Sequence, residues 1–190
     1  MTHSDGITDH IRAREEEHFR KKDRELIERL RRADADAKAR RALEQETGLH
    51  DPAMLEELSL LGFTPDTIAL LPLVPVLQVA WAKAGVSATE RALIVSLARS
   101  RGIAAGSASD HQLKEWLEHR PAEDTFHKAT RLIAAIVDSP HSAVVHVTAD
   151  ELIGYCDKIA HASGGIFGIH RVSHEERAAI EEIAATIKRR

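Results

Sequence analysis

Apolar residues recur along most of this chain at spacings of three and four, and no stretch alternates convincingly with period two. That pattern predicts helices and no strands. From about Asp9 to Glu46 the chain is heavily charged and has neither Gly nor Pro, which reads as one long helix. At 100° per residue its sparse apolar residues Phe19, Leu26, Leu30, Ala33 and Ala37 form a narrow stripe, with Ile27 at the edge. So narrow a stripe suits docking into a groove or pairing with another helix. A solvated helix held by pairs such as Glu25–Arg29 and Glu28–Arg32 is the plainer alternative.

After Gly48, Asp51 reads as an N-cap with Pro52 in the first turn, opening a short helix that closes at Gly62. Thr64-Pro65 repeats the device, and Leu61-Gly62-Phe63 reads as a packing turn. Val76, Leu77, Val79, Ala80 and Trp81 then form an almost wholly apolar helix, which demands burial on most sides. Ser87 opens a helix with Leu93, Ile94, Leu97 and Ala98 facing inward, closed by Gly102. Ser109 with Gln112 predicts the next start, leading through Leu113, Trp116 and Leu117. Phe126 to Val137 carries a further helical face. Thr148 with Glu151 opens another, bearing Leu152, Ile153, Cys156, Ile159 and Ala160. Residues 163–168 are a Gly-rich turn, and from Ser173 the residues Ile180, Ile183, Ala184 and Ile187 mark the last helix.

Two of these starts share one motif. Val86–Ile94 and Val172–Ile180 both read V-S-x-x-E-R-A-x-I. In such a capping box the Ser hydroxyl accepts from the amide three residues on, and the Glu there accepts from the Ser amide. Ser87, Glu90, Ser173 and Glu176 are therefore expected as structural caps. The repetition predicts two related helix–turn–helix units in one compact all-α domain, with the long charged helix in front. The expected division is an arm at 1–47, a helical connector at 48–72 and the helical domain at 73–190.

Composition narrows the function classes. Hydrophobic residues make up 43% of the 190 but aromatics only 4%, so the core rests on Leu, Ile, Val and Ala. A formal charge of −4 with intermixed signs argues against a nucleic-acid partner. No apolar run is long enough to span a membrane, and the polar first residues do not read as a secretory signal. With Cys156 as its single cysteine, the chain reads as cytoplasmic. Twelve histidines would carry the charge from −4 to +8 if all were protonated, and they read as scattered surface groups.

No catalytic set is legible. His161, His170 and His174 would converge for zinc only if loop and helix aligned them, and no acidic or cysteine ligand stands nearby. Cys156 lies on an apolar face and reads as a packed thiol. The turn at 163–168 follows no strand and lacks the Gly-Lys-Ser/Thr ending of a phosphate cradle. The sequence thus predicts a non-enzyme without cofactor or metal.

The segment Leu73–Arg91, together with its second copy, resembles the TerB-like tellurite-resistance family over about residues 65–190. The resemblance implies an all-helical fold, a link to tellurite or metal stress and an acidic loop discussed as a metal site. Where that family reads Asp-Gly, this chain has Lys83-Ala84, and a lysine repels a hard cation that needs several oxygen ligands. Residues 15–31 resemble the inhibitory helix of the mitochondrial ATP synthase inhibitor family, matching at Glu15, Glu16, Phe19, Arg20, Arg24, Glu25 and Leu30. That resemblance implies insertion into a rotary ATPase, more strongly at acid pH, although His18 stands where an aromatic is usual. Two functions follow as expectations. One is a non-catalytic, stress-associated TerB-like protein acting by protein–protein binding. The other is a regulator inhibiting a rotary ATPase. In both, the partner meets the arm through Glu15, Phe19, Arg20, Arg24, Glu25, Leu26 and Leu30, and the arm also offers a homodimer surface.

Overall fold

A computed structural model describes residues 5–137, 147–162 and 172–188, with side chains from Glu17 onward. Among them the protein is all-helical, with eight α-helices and no strand. The chain forms two compact units, Met1–Arg41 and Ala42–Arg190. The first belongs to α1 (Asp5–Thr47), whose described residues 17–41 are all exposed. Its last turn belongs to the second unit, where Leu43 and Thr47 are buried. The Thr47 hydroxyl donates to the Leu43 carbonyl at 2.6 Å, and Gly48 ends the helix at φ +66°, a conformation glycine adopts at no steric cost.

In the second unit the Asp51 carboxylate accepts from the Ala53 amide at 2.9 Å and starts α2 (Pro52–Leu60). Thr64-Pro65 does not start a helix. The Thr67 hydroxyl accepts from the Thr64 amide at 2.9 Å, closing a turn that leads into a 3-10 segment, Ile68–Leu73. Pro72 and Pro75 account for this, because neither can donate the amide that a continuous α-helix from Thr64 would need. Next comes α3 (Val74–Ala80), buried at all seven positions. It packs against α6 (Glu123–Ile136), α7 (Ala149–Ala162) and α8 (His174–Lys188) and is the axis of the core. Past its end, the Trp81 indole donates to the Trp116 carbonyl at 2.8 Å.

Around that axis the two repeats interlock. The first copy contributes α3 and α4 (Ala88–Ser100), the second α7 and α8. α3 contacts α8 while α4 contacts α7, so each half packs across the other. The buried faces are not equivalent. Copy one buries Glu90, Ile94 and Ala98, whereas copy two buries Glu176, Ala179, Ile183 and Ile187. Leu93, expected to face inward, is 42% exposed, and Leu97 is only partly buried. They flank a shallow groove with Tyr155, Lys158 and Ile159 of α7. Repeated motifs fix where the helices start, and the packing partner decides which stripe is covered.

A second start also differs from its sequence expectation. The cap of α5 (Ala108–Glu118) is Ser107, whose hydroxyl accepts from the Asp110 amide at 3.1 Å. Ser109 is instead buried and donates to the Asp66 carbonyl at 2.7 Å. Both serines stand three residues before a polar side chain, but only Asp110 can also neutralise Arg99. Asp110 accepts from the Gly106 amide at 2.8 Å, pairs with Arg99 and meets Lys114 at 2.9 Å. The Gly106 amide, then Arg99 and Lys114, hold its carboxyl well below the usual carboxylate range. A depressed acid pKa stabilises the fold above the ordinary value of 3.8 and loses that contribution as pH falls through the acid range. Asp110→Asn should therefore be less stable than wild type at pH 7. The gap should shrink in urea titrations as the pH is lowered past 3.8. A pH-independent gap would assign the loss to packing.

Candidate functional site

The four residues expected as caps act as caps. The Glu90 amide donates to the Ser87 hydroxyl at 3.3 Å, and the Ser87 amide donates to Glu90 Oε2 at 2.7 Å. In the second copy the Glu176 amide donates to Ser173 Oγ at 3.1 Å, and the Ser173 amide to Glu176 Oε2 at 2.8 Å. Ser87→Ala and Ser173→Ala should each cost about 1 kcal/mol, read as a shift in the denaturation midpoint. A null effect at both would reduce the serines to bystanders.

Both boxes are unusual in one respect. The Glu90 and Glu176 side chains have 0% exposure, and the second oxygen of each turns to the same cation. Lys83 Nζ lies 2.8 Å from Glu176 Oε1 and 3.3 Å from Glu90 Oε1. One ammonium thus ties together the two repeated motifs at the point where their helices begin. Burial pulls the Lys83 pKa down, but contact with Glu176 and the charges of Glu90 and Glu176 outweigh it, leaving the pKa above 10.5. Lys83 is therefore charged at neutral pH and is no base or nucleophile there. From the sequence, Lys83 has no role beyond repelling a cation. Its bridging role had one signal in the sequence, since it is the only charged side chain between Asp66 and Glu90.

This cluster does not fit the metal that the TerB-like resemblance implies. Two carboxylates are on hand, but each already accepts from an amide, and the Lys83 ammonium fills the space between them. A hard divalent cation takes at least six oxygens and would meet a positive charge here. Among the described residues no group of three or more His, Cys, Asp or Glu side chains converges as metal ligands would. Of the histidines weighed for zinc, His161 lies against the Asp157 carbonyl at 2.7 Å and His174 is the first residue of α8. His170 and the turn at 163–168 lie outside the described residues. Cys156 is fully buried, and burial pushes its thiol up to about 12, which suits packing rather than nucleophilic chemistry.

The arm residues form a second, separate candidate. Phe19, Leu26, Ile27 and Leu30 are 64, 56, 48 and 61% exposed on α1, with Ala33 and Ala37 exposed along the same stripe. Arg20, Arg24 and Glu25 are exposed on the same helix, and Arg24 Nε donates to the Arg20 carbonyl at 3.2 Å. Of the pairs expected to hold the helix in solvent, Glu28–Arg32 is in place at 2.6 Å. His18 and Phe19 meet edge to face, with ring centroids 6.5 Å apart. The Glu15 side chain lies outside the described residues.

Fold and sites together define an all-α protein with a buried ionic clasp and a long helix bearing an uncovered apolar stripe. No protein-family model, curated protein or solved structure matches the chain.

Proposed function

We propose that this is a non-catalytic, TerB-like, stress-associated protein of the cytoplasm that acts by binding other protein surfaces through its N-terminal helix. One observation carries the reading: four large apolar side chains stand exposed in a single stripe on α1. An uncovered stripe of this kind costs solubility and is kept where something covers it. The TerB-like assignment is supported by the two V-S-x-x-E-R copies, which begin paired helices and meet at one clasp. No described helix is long and apolar enough to cross a membrane, consistent with a partner reached from the aqueous side. Affinity capture tests the binding reading. Intact protein should retain a partner that Phe19→Ala/Leu30→Ala loses while its unfolding midpoint stays the same. Equal capture by both forms would reject it. For the stress link, cells lacking the protein should become more sensitive to tellurite, and the double variant should not restore resistance.

A second reading draws on the helical presentation of Phe19, Arg20, Arg24, Glu25 and Leu30, which keeps the positions of the ATP synthase inhibitor resemblance exposed on one helix. In it the full-length protein slows ATP hydrolysis by a rotary ATPase, and the double variant does not. No slowing at any pH removes this reading and leaves the first standing.

A further inference from the structure

We propose that the partner covering the α1 stripe is a second copy of this chain, with the two α1 helices crossing antiparallel about a two-fold axis beside Glu28. This rests on the reading of α1 as a protein-binding surface and names its occupant.

The stripe has a heptad register. Phe19, Leu26 and Ala33 fall at one seam position, and Asp23, Leu30 and Ala37 at the other. All six are exposed on the helix. A parallel, in-register pair would set Asp23 against Asp23 inside the seam and leave Ala33 and Ala37 facing their own copies. Ile27 would then flank the charged Lys22 of the second copy. The antiparallel arrangement that sums facing positions to 56 removes each fault. Leu26 meets Leu30 of the second copy, twice by symmetry. Phe19 fills the space over Ala37, and Asp23 faces Ala33 instead of a like charge. Ile27 meets Ile27 beside the axis. Phe19, Leu26, Ile27 and Leu30, the large apolar residues exposed among the arm's described side chains, are then all covered.

Charge complementarity also favours a second copy as the occupant, while the seam packing selects the antiparallel orientation. In antiparallel coiled pairs, each of the two seam-flanking positions meets its own kind on the partner. Here that places Arg20 beside Asp34 and Lys22 beside Asp36 of the second copy, each twice. Asp34 also meets its own Lys38 at 2.8 Å, but its side chain is 65% exposed and has a second oxygen to offer. One flaw remains, because Arg29 meets Arg29 across the axis. The contact is isologous, so it closes at two copies and does not propagate into a fibre.

The test uses the full-length protein, whose only native cysteine is buried. Sedimentation equilibrium should show a reversible dimer, and Phe19→Ala/Leu30→Ala should be monomeric where wild type is dimeric. Lys22→Glu should weaken the dimer about tenfold and Asp36→Lys likewise, since each turns two attractions into repulsions. The double exchange should restore it. Arg29→Gln should tighten the dimer about twofold by removing the like-charge contact. In oxidant, Ile27→Cys should cross-link and Ala33→Cys should not. Three results would overturn the proposal: a monomer at every concentration, cross-linking at 33 in place of 27, or a double exchange weaker than either single one. A monomer whose seam variants still lose another captured protein sinks the self-association alone. Seam variants that change neither association nor capture sink the binding reading as well.

Discussion

Lys83→Met should destabilise the second unit by about 3–5 kcal/mol, the usual cost of removing one partner from a buried charge cluster. Methionine keeps the unbranched stem and its packing, so the loss isolates the ammonium. Without it, Glu90 and Glu176, both with 0% exposure, would face one another as like charges. In wild type the clasp should also carry a pH edge. Because the Lys83 pKa is raised above 10.5, its contribution is whole below that value and is lost as the pH rises past it. Urea titrations of both proteins across pH check the expectation. A loss under about 1 kcal/mol, the scale of an exposed ion pair, would mean that the clasp is no more than surface electrostatics.

Phe126→Ala should cost about 3–5 kcal/mol, while Phe19→Ala should change stability by no more than about 0.5 kcal/mol. The substitution is the same, and the surroundings decide. Phe126 is fully buried on α6, which packs against α2, α3 and α8, and the Arg120 guanidinium lies 5.9 Å from its ring centre. Removing the ring leaves a cavity that the helices can only partly close. Phe19 has 64% of its surface in solvent and loses little when truncated. Unfolding midpoints of the two variants, taken at a concentration low enough to keep the arm unpaired, test the contrast. A large loss at Phe19 would mean that the stripe is part of the folded core.

Much of this was legible from spacing alone. Helix starts marked by a side chain that reaches its own first turn, such as Asp51, Ser87, Thr148 and Ser173, are local chemistry and can be read from a few residues. Where two local solutions compete, spacing cannot choose. Ser107 caps α5 in place of Ser109 because Asp110 is claimed by Arg99, a residue on the preceding helix. Leu93 stands partly in solvent because α7 covers the neighbouring stripe of α4. The Lys83 clasp was the least visible of all. Glu90 and Glu176 are 86 positions apart in sequence, and only the crossing of the two repeats brings them to one cation.

That crossing changes what the duplication means. Two copies joined only by apolar packing could drift separately, each keeping its own box while its surfaces were exchanged for others of similar size. A shared ammonium removes that freedom. A change at Glu90 leaves Lys83 and Glu176 with unbalanced charge, so damage to the first copy is felt in the second. The two halves are thereby bound to a common fate. Neither can melt at its cap without exposing the other, and substitutions at Lys83, Glu90 and Glu176 are tolerated as a set or not at all.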